Sequence, residues 1–220
     1  MSRNEVPPPP NPFTVTVYTT LLPKGSRLHR IHSCNYPGNT FNPTYSKLNR
    51  FSPLFDRGEV VPVLYAASSQ EASIFETLFH DAHVKGAKHQ TLPLKALQKH
   101  YGTWMTAREL KLATLHAPDL ARFGMTVDQL TATNAMYYPQ TARWAEAIHQ
   151  THPDIQGLEW TSYRAGPDKA WMLFGDRLSS ADLQPSGNAV LIQHDAALYK
   201  LVVECGQRVG IRVSRPKLPD

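Results

Sequence analysis

The 220-residue chain reads as an α+β protein folded into one compact domain. Three observations carry that expectation. An apolar share of 41% with 10% aromatic residues is enough to bury a core. Strand-like and helix-like segments are interspersed without the regular β-helix-β alternation of a doubly wound sheet. No segment recurs at a fixed period.

Residues 1–13, "MSRNEVPPPPNPF", form a proline-rich arm, read as a spacer or as a tail lying on the domain. The arm lacks the apolar core of a secretory signal. No stretch approaches the roughly 18 apolar residues of a membrane span, so a cytoplasmic protein is expected. Residues 14–213 are read as the folded part and 214–220 as a tail. "TVTVYTTLL" and "SRLHRIHS" alternate partly and predict two early strands. "NYPGNTFNPTYSKLNRFSP" is a structured loop, rich in Asn, Pro, Gly and Ser, and "VPVLYAAS" is a buried strand.

Next comes a well-signalled helix, with Ser68 as its cap and Glu71 completing a capping box. Ala72, Phe75, Leu78, Phe79 and Ala82 share one face, and Glu76 borders it. A carboxylate at a core boundary needs a partner or a polar cleft, because burying an unpaired charge costs several kcal/mol. Downstream, "LKALQKHYG" predicts a short helix ended by Gly102, and "ARELKLATL" a strand. "APDLARFGM" and "TARWAEAIHQT" predict helices, the second with Ala142, Ala145 and Ile148 on one face. "GLEWTSYRAG" and "KAWMLFGDRL" predict paired strands joined by "RAGPDK", and "ALYKLVVECGQRVGIRV" is expected to close the sheet.

The balance of 23 Lys and Arg against 18 Asp and Glu gives +5. That suits an anionic ligand and is too small to indicate direct nucleic-acid contact. Arg27, Arg30, Lys47, Arg50 and Arg57 are the nearest thing to a basic cluster. Cys34 and Cys205, the two cysteines, are expected to stay reduced. The phosphate-binding glycine loops and the G-x-S-x-G elbow are absent. Glu76, His80 and His83 have a spacing that a metal site can use, but without H-E-x-x-H the expectation is no metal.

The fragments "LHRIH", "NRFSP", "VLYAAS", "ASIFETLF", "GLEWTSYR" and "WMLFGDRL" are collinear over residues 25–180. In order and spacing they resemble the RES domain, named for Arg, Glu and Ser. The resemblance implies a compact mixed sheet with flanking helices, related to ADP-ribosyltransferases, and a toxin of a bacterial toxin–antitoxin pair acting on NAD⁺ as substrate. It implies functional roles for Arg30, Arg50, Tyr65, Glu76 and Ser162. The two arginines would fork onto the pyrophosphate or nearby hydroxyls. Tyr65 would stack on nicotinamide or bind the ribose. Glu76 would stabilise the oxocarbenium-like ribose. Ser162 would bond the nicotinamide ribose or orient Glu76; both roles stand.

The expected reaction is cleavage of the nicotinamide–ribose bond with phosphate or water as acceptor, depleting NAD⁺. Transfer of ADP-ribose to a protein, or a non-catalytic module binding a nucleotide or antitoxin, are the alternatives. The implied partner is an antitoxin with an Xre-like DNA-binding part, and a homodimer is a family-level expectation.

Overall fold

A computed structural model describes residues 5–43, 48–80 and 90–215. Lys47, Ala82 and His83 lie outside the described residues, as do 1–4 of the arm and 216–220 of the tail. The strands up to the second helix are β1 (Thr19–Leu22), β2 (Arg27–Ser33), β3 (Phe55–Asp56), β4 (Glu59–Val60), β5 (Val63–Ala67), β6 (Gln90–Leu92), β7 (Lys99–Thr106) and β8 (Leu110–Thr114). Those that follow are β9 (Gly157–Thr161), β10 (Lys169–Phe174), β11 (Leu183–Pro185), β12 (Val190–Leu191) and β13 (Ile211–Val213). The helices are α1 (Gln70–Leu78), α2 (Ala117–Arg122), α3 (Val127–Leu130), α4 (Tyr138–Thr151) and α5 (Ala196–Arg208).

Among the described residues, nine strands form one mixed sheet in the order β1-β8-β9-β10-β5-β2-β7-β11, with β12 also on β7. Only β8 and β9 run parallel within it, and α2 to α4 make the crossover between them. Strand alternation then sorts the side chains. Leu28, Leu64, Trp104, Leu112 and Trp171 fill the core on one face. On the other face Val63, Trp160, Met172 and Phe174 pack under Trp144, Ala145 and Ile148 of α4. Ile31 and Ala67 pack on Phe75 and Phe79 from the α1 region and on Leu198 and Val202 of α5. The helical cover of that second face is thus in two blocks.

Helix α1 starts one residue later than the capping-box pattern predicts. Ser69 is the cap, its Oγ accepting from Ala72 N at 3.0 Å and donating to Asp168 Oδ2 at 2.5 Å. Ser68 is taken up by the β5–β10 seam, where its Oγ accepts from Lys169 N at 2.8 Å. Glu71 pairs with Arg208 of α5. Ala72, Phe75 and Phe79 are buried, as the helical period requires.

Two elements differ from the sequence reading. Gly102 does not end a helix: only Leu94–Leu97 make a 3-10 turn, and Gly102 lies inside β7. Its glycine is a matter of close approach, since a Cβ there would sit 2.6 Å from the Trp104 ring. The segment expected to close the sheet is mostly α5, capped by Asp195 Oδ1 accepting from Leu198 N at 2.8 Å. Leu198, Val202 and Cys205 are buried along it at helical spacing. β13 pairs in parallel with β6 in a separate two-stranded sheet.

The proline-rich arm lies on the domain. Val6 is 4% exposed within the core beneath α4. Trp144 Nε1 donates to Pro7 O at 2.7 Å and Gln129 Nε2 to Glu5 O at 2.8 Å. No described helix is long and apolar enough to cross a membrane.

Candidate active site

β2 and β5 are neighbours joined through one registered pair, His29 with Ala67. The ladder does not continue to Arg30 and Ile31 opposite Ala66 and Tyr65, and these four residues line a wedge between the strands. The wedge coincides with the gap between the two helical blocks. A cavity of about 190 Å³ results, walled by β2, β5, α1, the loop before β3 and the start of α4, with Trp160 and Ala170 also lining it.

Arg30, Arg50, Tyr65 and Glu76 all line this cavity. They come from β2, a turn, β5 and α1, so the fold gathers four residues spread over 47 positions (76 − 30 + 1). Ser162 is not on the lining; it sits just behind it, 1% exposed past the end of β9. Its Oγ donates to Glu76 Oε1 at 2.7 Å. Its backbone N donates to Asp168 O at 2.8 Å, which fixes the serine in the β9–β10 turn. Of its two expected roles, the hydrogen bond made is the one to Glu76.

Arg30 projects from β2 with Nη1 buried and meeting no acceptor among the described residues. Burial pushes its guanidinium down to about 10, so it remains charged at neutral pH. Arg50 is held from behind: Nη1 donates to Thr133 O at 3.0 Å, and Tyr138 lies under the guanidinium at 5.6 Å. Thr141 of α4 donates to the Arg50 carbonyl.

Tyr65 does a different job from ligand contact alone. Its hydroxyl accepts from Phe51 N at 3.2 Å and bonds Ser52 Oγ at 3.1 Å, tying down the segment beside Arg50. Burial raises its pKa to about 12, against the pull of the Ser52 and Phe51 hydrogen bonds and the Arg50 charge. It is therefore protonated at neutral pH. His29 is another wall residue, bonded through Nδ1 to Tyr101 at 2.6 Å. Burial and then the Arg27 charge lower its pKa, with Asp168 opposing, so it adds no positive charge near neutrality.

Sequence reasoning missed Asn42, Asn49, Lys99 and Tyr138 as lining residues. Asn42 bridges Val63 from the loop, and no periodic signal marks such a residue. Glu76 and His80 both face the cavity, while His83, their companion in the metal spacing, is outside the described residues. Among the described residues no group of three His, Cys, Asp or Glu is placed to hold a metal ion.

The family model of the RES domain matches residues 27–195, more than half of the chain. The chain belongs to the RES domain family. A search of curated proteins finds no match. Among solved structures, a chain of the crystal structure of the M. tuberculosis MbcT–MbcA toxin–antitoxin complex superposes with a TM-score of 0.56 at 16% identity, covering 83% of this chain and 91% of that one. At that identity the likeness is one of fold. This RES domain places Arg30 and Glu76 on the lining of one cleft, with Ser162 bonded to Glu76 from behind it.

Proposed function

We propose that this RES domain protein is an NAD⁺-consuming enzyme that breaks the nicotinamide–ribose bond with phosphate or water as acceptor. The observation that carries the reading is the charge pattern of the cleft. Glu76 is the one carboxylate among its described lining residues, set among Arg30, Arg50 and Lys99. NAD⁺ has the complementary pattern, an anionic pyrophosphate and a ribose that becomes cationic at C1″ as the bond breaks.

Departure sends the C1″–N electron pair to the pyridine nitrogen, so nicotinamide leaves neutral and no general acid is needed. An ionised Glu76 stabilises the oxocarbenium-like ribose. The Ser162 hydrogen bond to Oε1 orients that carboxylate and leaves Oε2 for the ribose hydroxyls. The arginines supply donors to the pyrophosphate. Water adding at C1″ gives ADP-ribose and a proton; hydrogen phosphate gives ADP-ribose phosphorylated at C1″ and a proton.

RES domain proteins are typically toxins held in check by an antitoxin, and the structural relative comes from a toxin–antitoxin complex. The same pairing, in the cytoplasm and with an antitoxin carrying the DNA-binding part, is proposed for this chain. NAD⁺ depletion would be its toxic effect.

The test is nicotinamide release from NAD⁺ by the purified protein, with and without phosphate, beside Glu76→Ala and Arg50→Ala variants shown folded by circular dichroism. Multiple turnovers by the parent, lost in Glu76→Ala, are expected, and phosphate dependence identifies the acceptor. An intact NAD⁺ pool sinks the reading. So does a single turnover that leaves ADP-ribose on a protein.

A further inference from the structure

Trp160 sits at the back of the cleft on β9, 2% exposed, where it is one of the lining residues. Its ring is edge-on to Phe51 at 5.2 Å and to Tyr65 at 6.4 Å, so its orientation is fixed by aromatic packing on two sides. Its Nε1–H is buried and finds no acceptor among the described residues. An indole N–H is a donor only, and leaving a buried donor unmet costs about 1–3 kcal/mol. Trp144 and Trp171 show what this fold does with the same group when no ligand is at stake: they donate to Pro7 O at 2.7 Å and to Glu159 Oε2 at 2.8 Å.

We propose that the Trp160 Nε1–H is a substrate-binding group that donates to the carboxamide oxygen of the nicotinamide ring. This rests on the NAD⁺ reading above and adds the residue that recognises the leaving group. The neighbourhood fits that occupant. Tyr65 and Trp160 give the cleft an aromatic wall, with Phe51 packed edge-on behind Trp160, and a neutral donor among such rings suits a neutral carbonyl better than a phosphate. The orphaned Arg30 Nη1 on β2 offers the charged donor that a phosphate prefers. Two residues on the cleft lining thus carry unmet buried donors of different chemistry, matched to the two acceptor-rich ends of the nicotinamide ribotide.

Two measurements test the assignment. Trp160→Phe removes the N–H together with the five-membered ring; its KM for NAD⁺ should rise at least about fivefold, with kcat within about twofold, and the indole resonance separates the lost hydrogen bond from the lost packing. Independently of turnover, the indole Nε1–H proton resonance absent from the Trp160→Phe spectrum should move downfield when nicotinamide is titrated into the unsubstituted protein. Pyridine, which lacks the carboxamide, should not produce that movement. An unchanged KM, or a resonance that nicotinamide leaves in place or that pyridine shifts downfield equally, overturns the assignment. If the unsubstituted protein releases no nicotinamide at all, the NAD⁺ reading falls by that result and not through Trp160.

Discussion

Ser162 Oγ donates to Glu76 Oε1 at 2.7 Å, linking the β9–β10 turn to helix α1 across the back of the cleft. The serine is buried and the glutamate half-buried, so the bond is made away from bulk water and holds the carboxylate in one orientation. Ser162→Ala removes that constraint and leaves the charge in place. Nicotinamide release should fall about 10- to 100-fold in kcat with KM nearly unchanged, and Ser162→Thr should recover part of it. Equal loss in both variants with a lower Tm would mean the serine serves only the fold.

Arg30 presents a conflict between stability and binding. Its guanidinium is desolvated enough to bring its pKa down to about 10, and Nη1 has no acceptor among the described residues. A buried charge without a partner destabilises the fold, which natural sites tolerate where a ligand needs the charge. Arg30→Met should therefore melt higher than the parent while binding NAD⁺ about 10- to 100-fold more weakly, as expected for losing charge-assisted hydrogen bonds. Calorimetric melting and isothermal titration on the same sample separate the two effects. A variant that melts lower would show the guanidinium to be structural.

The parts of this molecule that could be read from sequence are those governed by a local period or by collinear motifs. β2, β5, α1, β9 and β10 fall where alternation and helical spacing put them. α5 was obscured by the run of Val and Ile around it, although Asp195 as cap and Leu198, Val202 and Cys205 at helical spacing carry the signal. A glycine needed for the Trp104 ring, such as Gly102, looks the same in sequence as one that ends a helix. The five site positions came from the family resemblance. What no local pattern contains is the wedge between β2 and β5, which brings Asn42, Lys99 and Tyr138 to the same cavity from three other segments.

The opposite face of the sheet carries a buried carboxylate, Glu159, with a depressed pKa. Glu159 Oε1 lies 3.1 Å from His116 Nε2, and Oε2 accepts from Trp171 Nε1 at 2.8 Å. Burial pushes its pKa up, but the His116 and Trp171 hydrogen bonds and the Lys169 charge outweigh it and leave the pKa below the ordinary glutamate value. A depressed pKa means the unfolded chain binds the proton more readily. The stabilisation is therefore present above the ordinary glutamate range and is lost as pH falls through it toward the folded value. Glu159→Gln should flatten the fall in Tm over that window. A variant with the same acid limb as the parent would assign the loss to other carboxylates.

The proline-rich arm and the Arg50 segment both pack on α4. Val6 is buried under that helix and Pro7 O accepts from Trp144 Nε1, while Tyr138 and Thr141 of the same helix hold the Arg50 side chain and its carbonyl. Removing residues 1–10 strips a buried valine and a partly buried hydrogen bond, together about 2–4 kcal/mol. For a domain of this size each kcal/mol is worth about 2–4 °C, so Tm should drop by roughly 5–15 °C. If α4 also positions Arg50, the truncated protein at a temperature where it is fully folded should show a KM for NAD⁺ raised several-fold while kcat, which the proposed reaction assigns to Glu76 on α1, changes little. A lower Tm with unaltered KM would show that the arm stabilises α4 without reaching the site.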